Sequence, residues 1–298
     1  MTAGPSAGSA RGGPPDFALL MPLWGRDLPE RVELALVSAT REQELAPTLL
    51  ILTVDGPLPP ALEALVARVE AGEFGPARVL RHPAHRGVAA ALQDGLLASP
   101  YELVARADAD DLCRPDRFAR QIPVAAGLAP AAPGQVPAPL DLVGGAMREF
   151  SDRIPAGTGP LRSRPLAHDE IVEYLRTHSP FHHPTVVLRR STALAVGGYR
   201  HLPLLEDYYL WERMVLGGAR TANLAEVLVD YRVDEQLFVR RGGWTLFSSD
   251  LVLQRRMLLD RVIGPGQLLR NLGMRLVYRF APGWARRLAY RRFVESRG

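Results

Sequence analysis

Leu49-Leu50-Ile51-Leu52-Thr53-Val54 is an almost unbroken apolar run that stops at Asp55-Gly56-Pro57. From Pro60 the pattern changes, and Leu62, Leu65, Val66 and Val69 recur at the spacing of one helical face, ending near Glu70. A short apolar run bounded by turn residues reads as a strand, and the 3.6-residue period behind a proline reads as the helix that follows it. The same alternation extends in both directions. Phe17 to Met21 is a strand stopped by Pro22, and Glu30 to Glu44 has helical spacing through Val32 and Leu36. Arg78-Val79-Leu80 is a third strand, Gly87 to Ala98 a helix, and Tyr101 to Ala107 a fourth strand. Further strands are expected at Leu142-Val143-Gly144, Thr185 to Leu188 and Glu226 to Tyr231, with a helix from Glu206 to Leu216. Strands alternating with helices predict an α/β fold with a mixed, mostly parallel sheet flanked by helices.

The 298 residues, 47% hydrophobic and 23% charged, can bury a sizeable core and exclude wholesale disorder or a collagen-like chain. The single cysteine, Cys113, excludes a disulfide framework and a Cys-rich zinc module. All 36 basic residues are Arg. Residues 255–298 hold eleven of them against Asp260 and Glu295, so a net charge of +4 divides into +9 on this tail and −5 on residues 1–254. Residues 1–15 are rich in Gly, Ala, Ser and Pro and read as a disordered leader. Residues 16–245 are expected to form the main domain, and 246–298 a basic helical extension. No stretch of about 20 apolar residues is present to span a bilayer.

In open α/β sheets ligands bind beyond the carboxyl ends of the strands. Two expected strands end in acids there: Asp55, and the cluster Asp108, Asp110 and Asp111. A carboxylate at such a place can accept from a ribose hydroxyl or a base N–H, and clustered carboxylates can hold a hard divalent cation with positions left for phosphate. The plain alternatives are a turn at Asp55-Gly56-Pro57 and an Asx-turn leading into the next helix.

The run Ala105-Arg106-Ala107-Asp108-Ala109-Asp110-Asp111, with Arg114-Pro115-Asp116-Arg117 after it, resembles the metal-site segment of family 2 glycosyltransferases, and most of all the bacterial exopolysaccharide enzymes of the amylovoran type. Val54 to Leu58, Arg86 to Leu92, His183-Pro184-Thr185-Val186, Gly197-Gly198-Tyr199, Glu206 to Trp211 and Tyr231-Arg232-Val233 follow the family in order, over roughly residues 17–245. The resemblance implies a GT-A fold, in which a Rossmann-like nucleotide half joins an acceptor half. It implies a nucleoside-diphosphate sugar as donor, contacted by Asp55, Arg86, Arg106, Asp108 and Glu206. It also implies Mn²⁺ or Mg²⁺ on Asp108, Asp110 and Asp111. Asp207, the second acid of the Glu-Asp pair, maps onto the catalytic base, and inversion at the anomeric carbon would follow. The acceptor implied is a lipid-linked sugar or a polysaccharide. Two acids in the first turn of a helix also favour its positive end, so Glu206 and Asp207 have a structural reading as well. Relatives often carry a His after the Tyr-Arg-Val segment, where this chain has Asp234. Arg240 and Arg241, by spacing and by analogy with the family, are expected to close over the donor diphosphate.

Leu268, Leu269, Leu272, Leu276 and Phe280 recur at helical spacing with Arg270, Arg275 and Arg279 between them, and an Arg-rich segment with Trp284 and Tyr290 follows. A basic amphipathic helix suits an anionic membrane surface, while the plain alternative is a packed helix with solvated Arg. The expected location is therefore the cytoplasm, peripherally on the inner face of the plasma membrane. No nucleic-acid recognition module accompanies the basic patch. Two other classes stay open: a nucleotidyltransferase, and a non-catalytic scaffold on the same fold.

Overall fold

The structure is a computed structural model that describes residues 13–233 and 243–282. The expectations for the leader up to residue 12, for Asp234, Arg240 and Arg241, and for the tail beyond Pro282 lie outside these residues. Strand β1 (Phe17–Trp24) sends Phe17, Leu19, Met21 and Leu23 into one core and Ala18 and Leu20 into another. A strand that feeds two cores has no solvent face, which is why its sequence is apolar throughout and does not alternate. β2 (Leu49–Asp55) pairs parallel to β1 with Trp24 opposite Asp55, and β3 (Ala77–His82) pairs parallel to β2 with Asp55 opposite His82. β4 (Leu103–Arg106) runs parallel to β1 on its other side. The acids that follow β2 and β4 therefore leave the same edge of the sheet.

The sheet continues through β5 (Leu112–Cys113), β6 (Leu142–Phe150), β7 (Leu161–Arg162), β8 (Val187–Arg189) and β9 (Thr221–Arg232). Among the described residues the order is β3-β2-β1-β4-β8-β6-β9-β5, with β7 paired to β6. Helices α1 (Pro29–Ala39), α2 (Pro60–Glu70) and α4 (Arg117–Ala126) cover one face. α3 (Val88–Ala98), α5 (His168–Leu175), α6 (Arg190–Ala195) and α7 (Glu206–Leu216) cover the other. This is the GT-A architecture, with mixed strand directions in its second half.

Several expected boundaries moved: β1 is not stopped by Pro22 but runs on to Trp24, where Pro22 sits opposite Thr53 of β2, and three further shifts have identifiable causes. α1 stops at Ala39 instead of Glu44, because the Thr40 hydroxyl donates to the Leu36 carbonyl and Gln43 donates to those of Ser38 and Arg114. β4 starts at Leu103, since the Ser99 hydroxyl holds Tyr101 in a turn. β9 starts at Thr221, five residues early; its polar Asn223 is buried and donates to the carbonyls of Pro165 and Pro180.

The last two helices pack in unequal ways. α8 (Trp244–Leu259) sends Leu253 and Met257 into the core that holds Trp211. α9 (Pro265–Phe280) buries only Asn271, which donates to the Arg176 carbonyl and to Gln254. One and two turns on, Arg275 and Arg279 bind the two oxygens of buried Asp250, at 3.1 and 2.9 Å. Leu269 and Val277 on the opposite side are 72% and 74% exposed. The arginines at 275 and 279 are thus turned inward, contrary to the reading that left them solvated, and Leu269, Leu276 and Val277 point out, while Leu268 packs on the core.

Candidate active site

Asp55 ends β2 under a tight turn. Its carboxylate accepts the backbone N–H groups of Arg86 at 2.7 Å and Gly87 at 2.8 Å. The Nδ1 atoms of His82 and His85 lie 3.2 and 2.8 Å from it. Burial works to raise its pKa, but the backbone bond from Arg86, His82 and the other donors outweigh burial and hold the carboxyl below its ordinary value. Gly56 is required here: its φ is +92°, and a Cβ would meet the His85 nitrogen at 2.8 Å. Arg86 enters the site through its backbone, while its guanidinium is turned to Asp94 at 2.7 Å. Above Asp55, the Trp24 and His85 rings stack at 4.6 Å, with the Arg26 guanidinium 4.7 Å from the Trp24 ring centre. Trp24 and His85 went unnoticed in the sequence, although each closes a strand or loop at the ligand-binding edge.

The acid turn follows β4. Arg106 is buried and pairs with Asp108. Burial works to lower its pKa, but the Asp108 charge and the surrounding groups leave it raised, so it stays cationic. Asp108 and Asp110 line the main cavity, whereas Asp111 is buried behind them. The Asp111 Oδ1 accepts the Arg232 N–H at 2.7 Å, and Arg232 Nε donates to the Asp110 carbonyl at 3.0 Å. Burial, then the charges of Asp110 and Asp108, push the Asp111 carboxyl well above its ordinary value. The Asp111 Oδ2 is buried without a hydrogen-bond partner. Carboxylates packed this closely raise one another's cost of ionisation, and the turn is short of positive charge. Among the described residues, no three His, Cys, Asp or Glu side chains come together as a closed metal cluster. Two cavity-facing carboxylates suit a divalent cation that keeps most of its positions for water or phosphate.

The third part is the head of α7. The Asp207 carboxylate accepts the Tyr208 N–H at 2.6 Å and lies 3.9 Å from the His183 Nδ1. Burial is the main cause that pushes Asp207 up to about 6 and Glu206 up to about 7, where the Asp207 charge adds to it. Burial, then the Arg106 charge, push His183 well below its ordinary value, so its ring is neutral. His183 lies 3.4 Å from the Tyr199 hydroxyl. Trp211 stands edge-on to Phe181, His183 and Tyr199, with ring centres 5.7 to 6.4 Å away. Trp211 is fully buried and supports these rings from the core.

Arg106 links the two acid groups. Its charge acts on Asp108 on one side and on Asp207, Glu206, His183 and Tyr199 on the other. Asp55, Arg106, Asp108 and Asp110 share a cavity of about 900 Å³, and α9 forms its far wall through Met274, Arg275 and Tyr278. Leu205 and Tyr208, on either side of the Glu206-Asp207 pair, line the same cavity. Leu204, just before them, has a left-handed backbone at φ 65°, a strained conformation for leucine.

Comparison with known proteins agrees with the fold. The profile described as glycosyl transferase family 2 matches residues 21–194. The amylovoran biosynthesis glycosyltransferase AmsE of Erwinia amylovora is 32% identical over 248 residues, covering 83% of this chain and 88% of that protein. The UDP-Gal:alpha-D-GlcNAc-diphosphoundecaprenol beta-1,3-galactosyltransferase of Escherichia coli is 27% identical, covering 94% of this chain and 97% of that one. Among solved structures, Staphylococcus aureus TarS superposes with a TM-score of 0.61 at 13% identity, over 89% of this chain and 72% of that one. The mannosyltransferase PcManGT of Pyrobaculum calidifontis, solved with GDP-Man and Mn²⁺, gives 0.60 at 15% identity, over 92% and 72%. These two likenesses concern the fold.

Proposed function

Since this chain belongs to glycosyl transferase family 2, we propose that it transfers a sugar, with inversion, from a nucleoside-diphosphate sugar to a lipid-linked acceptor in exopolysaccharide assembly. The observation that carries this reading is one cavity lined by Asp108 and Asp110 behind β4 and by Leu205 and Tyr208, which flank the Glu206-Asp207 pair at the head of α7, with the charge of buried Arg106 acting on both Asp108 and Asp207. A base near neutral pH must hold its proton weakly enough to leave and strongly enough to take one, and Asp207 at about 6 meets that condition. Its own helix N–H fixes the Oδ1 atom. Neutral His183, 3.9 Å from the Oδ2 atom, shapes the other side without bringing a competing charge.

Asp108 and Asp110 are the residues to hold Mn²⁺ or Mg²⁺, with Asp111 behind them. When bound, the cation supplies charge neutralisation for the departing diphosphate. Arg106 holds Asp108 in place, and Trp24 with His85 offers a flat aromatic surface to the nucleotide base. Asp55 is already bonded to two backbone N–H groups, so it contributes chiefly by fixing the loop of His85, Arg86 and Gly87. The E. coli relative acts on a diphosphoundecaprenol-linked sugar, which supports a lipid-linked acceptor here. Among the described residues no helix is long and apolar enough to cross a membrane. The outward apolar side of α9, with Arg270 on it and the Arg-rich tail after it, supports peripheral attachment to an anionic bilayer surface on the cytoplasmic side.

Melting temperatures with a panel of nucleoside diphosphates and Mn²⁺ test the donor site. One diphosphate should raise the wild-type value only with metal, and the rise should be lost in Asp108→Ala/Asp110→Ala. No shift with any member of the panel would refute the assignment.

A further inference from the structure

Charge is distributed unevenly around the cavity. Its lining carboxylates, Asp27, Asp55, Asp108 and Asp110, all follow β1, β2 or β4. Arg162, in contrast, lies opposite Met147 at the end of β7, a short strand paired to β6 and not one that the carboxylates follow. Arg164 stands two residues on, just past the end of β7. Both Arg162 and Arg164 line the cavity. Arg275 and Arg279 join them from α9, and no carboxylate lines this wall. The acids behind it are Glu149, 3.6 Å from Arg162, and Asp250, shared between Arg275 and Arg279.

We propose that Arg162 and Arg164 form a second anion subsite, which takes the diphosphate of a lipid-linked sugar acceptor. This rests on the reading of the protein as a transferase with a lipid-linked acceptor and names the part of the acceptor that is held. The donor diphosphate belongs beside Asp108 and Asp110. In an inverting transfer the acceptor arrives on the face opposite the leaving group. An anion held by Arg162 and Arg164, at a strand that carries none of the lining carboxylates, is therefore assigned to the acceptor. Guanidinium groups match phosphate oxygens in a two-point geometry, and Thr177, His178 and Ser179 add polar groups to the same wall. The cavity, at about 900 Å³, lies near the upper end of small-molecule sites, so it has room for donor and acceptor head groups together. The lipid has a route out along α9, whose inner side chains line the cavity while Leu269 and Val277 face outward.

The test uses the full chain and dodecyl diphosphate, below its micelle concentration, titrated calorimetrically in EDTA so that the acid turn carries no metal. Wild type should bind it. UDP with Mn²⁺, tested separately, should not displace it. Arg164→Gln should weaken binding about tenfold, and Arg162→Gln/Arg164→Gln further, since each lost bond to a charged partner is worth about a tenfold step. Arg164→Lys should recover part of the loss. Melting temperature and UDP–Mn²⁺ binding should stay at wild-type values in Arg164→Gln, which separates loss of the subsite from loss of the fold. Unchanged affinity in both Gln variants would overturn the proposal, as would displacement by UDP–Mn²⁺. Inorganic pyrophosphate binding as tightly as dodecyl diphosphate would overturn the lipid part and leave a plain anion site. Failure of the donor reading is distinguishable: UDP–Mn²⁺ would then not bind at all, while the dependence of dodecyl diphosphate on Arg162 and Arg164 would still be measured.

Discussion

Glu212 lies on α7, five residues after the proposed base, and is fully buried. Burial, then the neighbouring Asp260 charge, push its carboxyl up to about 7, against the opposing charges of Arg213 and Arg256. Its ordinary value is 4.5, so the folded state keeps the proton over a range in which the unfolded state has lost it. More protons bound in the folded state means that stability falls as pH rises from about 4.5 to about 7. Below that window both states are protonated and nothing is lost. Above it the full cost is present, about 3 kcal/mol from a shift of about 2.5 pH units.

Glu212→Gln keeps the shape and removes the titration. Between pH 5 and pH 8.5 the stability of the variant relative to wild type should grow by about 2.5 kcal/mol, the part of the window lying between those values. For a chain of this length that corresponds to about 4 °C in melting temperature, using the usual unfolding entropy per residue. The assay is urea or thermal unfolding of both proteins at the two pH values. The other raised carboxyls, Glu206, Asp207 and Asp111, are present in both proteins and cancel. A difference independent of pH, or a variant that loses ground at pH 8.5, would refute the argument and mean that Glu212 is ionised with its charge compensated.

Asp207→Asn should lower kcat by about 10² to 10⁴ with nucleoside-diphosphate binding unchanged. In wild type kcat/KM should rise with pH along a limb centred at or below about 6, as Asp207 loses its proton, and stopped assays across pH 4.5–8 should find that limb missing in the variant. A wild-type limb above pH 7 would point to another base. Asp250→Ala removes the shared partner of Arg275 and Arg279 and should cost about 3 kcal/mol, the usual price of leaving buried charge unpaired. Limited proteolysis should then cut between α8 and α9 faster than in wild type. Leu269→Ser/Val277→Ser should weaken sedimentation with phosphatidylglycerol vesicles at least tenfold by loss of apolar contact, with melting unchanged. Equal sedimentation would remove α9 as the membrane contact.

β1, β2 and β4 were legible because each is buried on both faces and therefore almost entirely apolar, and because the acids behind β2 and β4 mark the ligand edge, while β3, an edge strand with Arg78 and Arg81 exposed, showed only its short apolar centre. Less local features were hidden. β7 is only two residues long and exists through its pairing with β6, so no periodicity announces Arg162. The early start of β9 depends on Asn223, a polar residue made acceptable by carbonyls at Pro165 and Pro180. At the site, the spacing of Asp108, Asp110 and Asp111 was visible, but their unequal exposure was not. That difference arises because the Arg232 N–H, 121 residues away, draws Asp111 inward. Arg86 was expected to contact the nucleotide; that its N–H bonds Asp55 and its guanidinium bonds Asp94 could not be read from the sequence.

A helical period says which residues share a side, and it does not say which side faces in. For α9 the decision comes from Asp250, 25 and 29 residues before its partners. Turning the helix over would bury Leu269, Val277 and Phe280 and recover about 25 cal/mol for each Å² of apolar surface. It would also strand a fully buried carboxylate and two guanidinium groups, and breaking a buried ion pair in this way costs about 3 to 5 kcal/mol. Asp250 thus holds the arginines against the cavity and leaves the leucine side facing outward. In water that orientation leaves apolar surface unburied; against the proposed bilayer the same surface becomes a gain. The helix that walls the acceptor side would then also place it at the membrane, where a lipid-linked acceptor resides.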